Sequence, residues 1–337
     1  MPPESPAPVR TLQALLPGLL VAVIVGFAAL FLGDHYSAPV MLFALLLGMA
    51  LAFLYEDNAG RCAPGIEFAA AFVLRVGVAL LGLRVALGDI LKLGAETVFL
   101  LVIAITLTIA LGVLSARLLK LRATLGLLTG GAVAICGASA AMAIASILPR
   151  HRDSDRDTLL TIIGVTSLST VAMVTYPVVA RWCGLDDVAT SVFLGGTIHD
   201  VAQVVGAGYS VSEETGDLAT LVKLVRVSLL FPVVAVMLIG QRLVSRGDGS
   251  HGTLPGFPWF LGVFMALMIL NSVVDIPASI LGGFSQGSRF ALVVAIAAIG
   301  MKSSLGKLLG VGARPLLLII SESLFIAGFI LLALRLL

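Results

Sequence analysis

Runs of apolar residues long enough to cross a lipid bilayer recur along the whole chain, near residues 12–32, 38–55, 66–84, 95–116, 158–180, 218–240, 258–274, 289–301 and 315–334. A spanning helix takes about 20 such residues. Inside hydrocarbon no water reaches the backbone, so every N–H and C=O must bond within the segment, and a helix achieves this locally. The 289–301 run is short and is expected to extend upstream. Composition removes the soluble alternative: 12% of residues are charged and 59% hydrophobic, where a soluble chain carries about 25% charged residues to coat its surface. At roughly 30 residues per span and loop, the chain is expected to be an all-α polytopic membrane protein of about 9 to 11 transmembrane segments. A tail, residues 1–11, precedes a single transmembrane domain over residues 12–337. The first run is longer than a signal-peptide core and is followed by Gly33, Asp34 and His35 rather than a small-residue cleavage site, so it is read as a helix that stays.

Two further segments, 124–148 and 188–210, are rich in Gly and small polar residues and carry the pairs Gly130–Gly131 and Gly195–Gly196. They read as interrupted or re-entrant helices, broken near those pairs. Loop charges sharpen the reading, because Lys and Arg collect in cytoplasmic loops. With the N-terminus inside, Arg61, Arg117, Lys120 and Arg122 fall inside, and the cluster Arg150, Arg152 and Arg156 joins them only if 124–148 returns to the face it entered. A second re-entrant segment from the opposite face then leaves Glu213, Glu214 and Asp217 outside and Arg242, Arg246, Lys302, Lys307 and Arg314 inside. Eleven full spans would place everything after residue 182 identically, so one loop carries the discrimination. Residues 78–94 also resemble residues 296–312, matching Gly82 with Gly300, Arg84 with Lys302 and Gly88 with Gly306. In this topology the two stretches run in opposite directions, as inverted repeats require. The two pairs of segments do not share one sequence offset.

Chemistry has few places to reside. The first Gly-rich segment offers Gly130, Gly131, Cys136, Gly137 and Ser139. They suit either close helix packing or a helix break whose free N–H groups bind an anion. The second segment adds Thr197, His199, Asp200 and Gln203 to Gly195 and Gly196. Ionisable groups at membrane depth are rare and mostly mark transport paths, and a His beside a carboxylate can exchange protons near neutral pH. The plainer alternative puts His199 and Asp200 at a helix end among headgroups. Arg75 falls halfway through the third run, and Lys223 and Arg226 share a helix face three residues apart. Arg75 needs a partner, such as Glu67 or Glu322, or a water-filled cavity; Lys223 and Arg226 either line a site or snorkel to the interface. Glu322 and Asn271 either bind a coupling cation or act as packing glue. Cys62, Cys136 and Cys183 are scattered and indicate neither a disulfide framework nor a zinc site. With no Walker lysine motif, nucleophile elbow, H-E-x-x-H or EF-hand pattern, an ATP-driven pump is unsupported.

The stretches LRVGVALLGLRVAL (74–87), AICGASAAMA (134–143) and GTIHDVAQVVGAG (196–208), with the Lys223 and Arg226 pair and the PWF at 258–260, together resemble the YeiH-type sulfate exporter family of bacterial inner-membrane proteins. The resemblance runs from about residue 36 to the C-terminus, and HDVAQVV is its most specific part. It implies secondary transport of a sulfur oxyanion, a multi-pass protein of the bacterial inner membrane with a cytoplasmic N-terminus, and interrupted helices that meet at mid-membrane. The positions it singles out are Arg75, Cys136 to Ser139, His199 to Gln203, Lys223 and Arg226.

Together these readings give an alternating-access exporter. The substrate set is Arg75, Gly130, Gly131, Cys136, Gly137, Ser139, Gly195, Gly196, Thr197, Gln203, Lys223 and Arg226, with His199, Asp200 and Glu322 for ion coupling, the proton first. No catalytic residue, metal or cofactor is called for. The expected partners are a small inorganic or organic anion and the lipid bilayer, not nucleic acid; assembly as a homo-oligomer is left open. The competing readings are an anion channel and a membrane-embedded enzyme using His199, Asp200 and Cys136, although no nucleophile, base and orienting group stand at a recognisable spacing.

Overall fold

The computed structural model of the protein describes residues 8–36, 39–56, 61–84, 87–149, 151–244, 259–274, 276–303 and 312–336. Arg150, Arg246, Pro258, Gly306 and Lys307 from the sequence reading lie outside them. The helices in chain order are α1 (Pro8–Tyr36), α2 (Val40–Ala50), α3 (Phe53–Glu56), α4 (Ala63–Phe68), α5 (Leu74–Leu80), α6 (Leu87–Leu118), α7 (Ala123–Ala134) and α8 (Ala138–Ile147). They continue as α9 (Ser154–Trp182), α10 (Asp187–Thr197), α11 (Val201–Tyr209), α12 (Glu213–Ser228), α13 (Leu230–Val244), α14 (Trp259–Val273), α15 (Ala278–Lys302) and α16 (Ala313–Leu336). A π turn, Ala69–Val73, joins α4 to α5, so Ala63–Leu83 forms one spanning stretch. No strand occurs among the described residues. Seven helical stretches among them are long and apolar enough to cross a membrane, and four shorter apolar helices accompany them. The protein is an all-α multi-pass membrane protein. The short run at 289–301 does extend upstream, α15 beginning at Ala278. Phe31, Phe99, Val178 and Leu324 are exposed on these helices, as lipid-facing side chains are.

The chain forms two compact units. The first comprises residues 1–86, 209–211 and 263–304. Here the sequence repeat acquires a physical meaning. A Cβ on Gly300 would fall 2.4 Å from the Leu45 carbonyl oxygen, and one on Gly82 would fall 2.3 Å from that of Phe264. Both repeat glycines therefore sit where helix backbones touch, which only a missing side chain permits. Their basic neighbours match as well: the Arg84 guanidinium carbon lies 5.8 Å from the Tyr209 ring centre and Lys302 Nζ 5.9 Å from that of Tyr55, both within cation–π range. The Tyr55 hydroxyl bonds Glu67 near the start of the Ala63–Leu83 stretch (2.9 Å), while Ser288, near the middle of α15 and well before Lys302, donates to the Gly77 carbonyl towards the end of that stretch (2.8 Å). With Lys302 at one end of that stretch and Ser288 towards the other, the repeat helices are antiparallel.

The second unit comprises residues 87–208, 212–262 and 305–337 and contains both Gly-rich segments. Gly131 and Ile144 are thirteen residues apart, about 20 Å along a continuous helix, yet a Cβ on Gly131 would fall 2.2 Å from Ile144 Cδ1. α7 and α8 therefore fold back on each other. Their open ends lie together: Arg122, just before α7, pairs with Asp153 (3.2 Å) and donates to His151 Nδ1 (2.6 Å), just before α9. Segment 124–148 is thus a re-entrant hairpin. The second segment behaves likewise. α10 lies parallel to α12, with the Thr215 hydroxyl donating to Asp187 Oδ1 at their starts (2.9 Å) and Gly195 against Ala219 and Val222 further along. α11 must then return, and it does: Gly208 meets Thr215 and Gly216 at the start of α12. α9, of 29 residues and about 43 Å, separates the hairpins. They enter from opposite sides.

Candidate functional site at the hairpin tips

The glycine pairs do not break the helices. Gly130 and Gly131 lie inside α7 and Gly195 and Gly196 inside α10, whereas the chain leaves helical geometry at Ile135–Gly137 and Ile198–Asp200. The reason is steric. Gly130 faces Ile109 and Thr108 of α6, Gly131 faces Ile144, Gly195 the α12 backbone, and Gly196 Ile330 of α16; the pairs let the hairpin legs approach their neighbours. At the first tip, Gly137 takes φ 62° and ψ −123°, a conformation essentially closed to residues with a Cβ. The tips meet there: a Cβ on Gly137 would stand 3.6 Å from His199 Cβ.

Lys223 and Arg226 join the tips. Lys223 Nζ donates to the carbonyls of Ile135 (2.7 Å) and Ile198 (2.8 Å), one from each tip. Arg226 donates through Nε to Ala134 and through Nη2 to Val133 on the first hairpin, and through Nη1 to Ile198 (3.2 Å) and Gly195 (3.5 Å) on the second. Both side chains are fully buried. Arg226 lies about 20 Å from the start of α12 at 1.5 Å per residue, because the helix begins at Glu213 rather than near Asp217. Snorkelling is therefore excluded. The carbonyls they bind end α7 and α10, where helix dipoles are negative, so the two cations stabilise those ends. The opposite ends of the breaks, the N-termini of α8 and α11, present N–H groups. α8 has no side-chain cap, and Ser139 in its first turn is exposed. At α11, Asp200 Oδ1 accepts the Ala202 N–H (3.0 Å).

Around the second tip stands a polar shell that the sequence did not single out. Ser169 Oγ accepts the Asp200 N–H (3.1 Å), Gln203 Nε2 donates to Thr170 Oγ1 (3.0 Å), and His199 Nε2 shares a hydrogen bond with Ser323 Oγ (2.9 Å). On the first hairpin the Thr129 hydroxyl donates to Glu322 Oε1 (2.8 Å). His199, Gln203 and Glu322 are buried, and His199 Nδ1, Gln203 Oε1 and Glu322 Oε2 each lack a hydrogen-bond partner. Buried polar atoms are rarely left so. The only sequence signal for this shell was adjacency: Thr129 precedes Gly130, and Ser323 follows Glu322.

Of the remaining candidates, Cys136 is buried within the first tip, and the Thr197 hydroxyl is spent on the Phe193 carbonyl (2.6 Å). Arg75 belongs to the first unit, where it is exposed. Among the described residues of that unit no ion pair joins it to Glu67, which accepts from Tyr55. Among the described residues, no group of His, Cys, Asp and Glu is placed to hold a metal ion.

Comparison with known proteins places this architecture. The family described as Conserved hypothetical protein 698 matches residues 17–319. The UPF0324 membrane protein TauZ of Paracoccus pantotrophus is 50% identical over 97% of this chain and 96% of its own. The chain belongs to the UPF0324 membrane protein family. Another UPF0324 membrane protein, from Rhizobium meliloti, is 53% identical over 94% of this chain and 91% of its own, and one from Chlorobaculum tepidum 49% over 94% and 88%. The YeiH-type resemblance seen in the sequence is to this same UPF0324 family. No solved structure matches the chain.

Proposed function

We propose that this UPF0324 protein is a secondary active transporter of the bacterial inner membrane, with a cytoplasmic N-terminus, that exports sulfate or a related small sulfur oxyanion by alternating access coupled to an ion gradient. The carrying observation is the meeting of two oppositely entering hairpins at tips latched by Lys223 and Arg226. The latch ties the two tips together, and the uncapped N-terminal end of α8 supplies the N–H donors and positive dipole an oxyanion needs. The two cations add to that field while held by carbonyls, so the anion meets Ser139 and backbone N–H groups first. Tips tied by side chains of a third helix favour a carrier over a channel, and the sequence offers no nucleophile, base and orienting group at a recognisable spacing. The test is efflux of labelled sulfate and sulfite from proteoliposomes with and without an imposed pH gradient. Protein-dependent, saturable efflux is expected; no efflux of either anion removes the substrate, and single-channel currents remove the carrier.

A further inference from the structure

Glu322 stands apart from the other acids among the described residues. It is fully buried on α16, inside a unit whose outer helices face lipid. Three elements close around it: α6 with Gly112, where a Cβ would fall 2.6 Å from Glu322 Oε1; α7 with Thr129, Gly126 and Gly130; and α9, whose Gly164 faces Ile319 one turn earlier on α16. None of these residues is titratable, and no cation pairs with Glu322 among the described residues. Thr129 satisfies Oε1, and Oε2 has no partner. Two lone pairs buried without a donor and an ionised carboxylate without a counter-charge are both strongly disfavoured; a proton on Oε2 removes the charge.

Its position gives that proton a readout. Glu322 holds the first hairpin through Thr129, and the next residue, Ser323, holds the tip of the second through His199. One turn of one helix thus touches both hairpins. We infer that Glu322 is the proton-carrying site of the transport cycle, loaded as the neutral acid when the tips are latched and emptied only when water reaches it. Loading adds one proton to Oε2 and release returns it to water; no other bond changes. The inference rests on the transporter reading above and goes beyond it by choosing among His199, Asp200 and Glu322.

Two measurements separate them. Infrared difference spectroscopy of purified protein at neutral pH is expected to show the carbonyl stretch of a protonated carboxylic acid, absent in Glu322→Gln and moved to higher frequency in Thr129→Val, which removes the hydroxyl from Oε1. A spectrum without that band, or one unchanged by Glu322→Gln, overturns the site. In proteoliposomes, Glu322→Gln is expected to lose the response of anion flux to a pH gradient by about tenfold or more while keeping anion-for-anion exchange, as for a carrier locked in its loaded form. An undiminished response overturns the coupling role. A Glu322 band in a wild-type protein that moves no sulfur oxyanion leaves the proton site standing and overturns the transport reading instead.

Discussion

Gly195→Ala is the sharpest single perturbation of the latch. The added Cβ would stand 2.5 Å from the Ala219 carbonyl oxygen and 2.8 Å from Val222 Cβ. Ordinary contact needs about 3.4 Å, so α10 must retreat from α12 by roughly 1 Å. The retreat carries Gly195 and Ile198 with it, and their carbonyls bind Arg226 Nη1 at 3.5 and 3.2 Å and Lys223 Nζ at 2.8 Å. Overpacking costs about 1–3 kcal/mol, a weakened hydrogen bond to a buried cation up to about 1.5–3 kcal/mol, and the helical preference of Ala returns about 0.5–1 kcal/mol. The net is a destabilisation of roughly 2–4 kcal/mol. At about 2 °C per kcal/mol for a large chain, thermal unfolding in detergent should fall by roughly 4–8 °C. Gly328→Ala is the control: it lies on α16 with nothing within 4 Å of its would-be Cβ, and should melt at or slightly above wild type. A Gly195→Ala protein as stable as wild type, or one no worse than the control, refutes the close crossing.

Other consequences follow from the same geometry. Arg226→Met should give little folded protein, because the Ala134 and Val133 carbonyls lose their buried donor at a cost of about 3–5 kcal/mol; the yield of monodisperse protein on size exclusion measures it, and a wild-type yield contradicts it. Gly137→Ala meets no clash, the nearest atom being 3.6 Å away, but forces Ala into φ 62°, so a loss of about 1–3 kcal/mol in thermal or denaturant unfolding is expected from backbone conformation alone. In a background lacking reactive thiols, a cysteine at exposed Ser139 should be alkylated at least about tenfold faster than one at buried Gln203; equal rates would mean that α8 does not present its first turn as described.

The first hairpin was legible in the sequence because two separate physical signals coincided on it, whereas the second carried only the small-residue signal. Small residues marked where backbones pack, and the basic cluster beyond residue 149 marked which side the chain returned to. The breaks were misplaced, by about five residues in the first hairpin and about three in the second, since a glycine pair looks the same whether it interrupts a helix or lets one pass close to another. Of the glycines singled out in the two hairpins, only Gly137, which needs its positive-φ backbone, combines glycine with a true break. Lys223 and Arg226 were recognisable as displaced charges, yet their partners are carbonyls, and backbone acceptors leave no trace in composition. Thr129, Ser169, Thr170 and Ser323 were missed for a related reason: in a membrane helix a hydroxyl usually bonds its own preceding turn, as Thr108 does with Ala104, so sequence cannot tell which one also reaches across. Which face of the third span Arg75 takes was equally hidden, because lipid and protein interior favour the same neighbours around it.

Lys223 and Arg226 project from one face of one rigid helix, and each divides its donors between the two hairpins. In the proposed transport cycle, a tip that swung away would surrender its share of those donors to the tip that stays. The remaining carbonyls would then face two cations alone and be gripped more firmly. On that proposal the arrangement would work as an airlock does, in which opening one door presses the other shut.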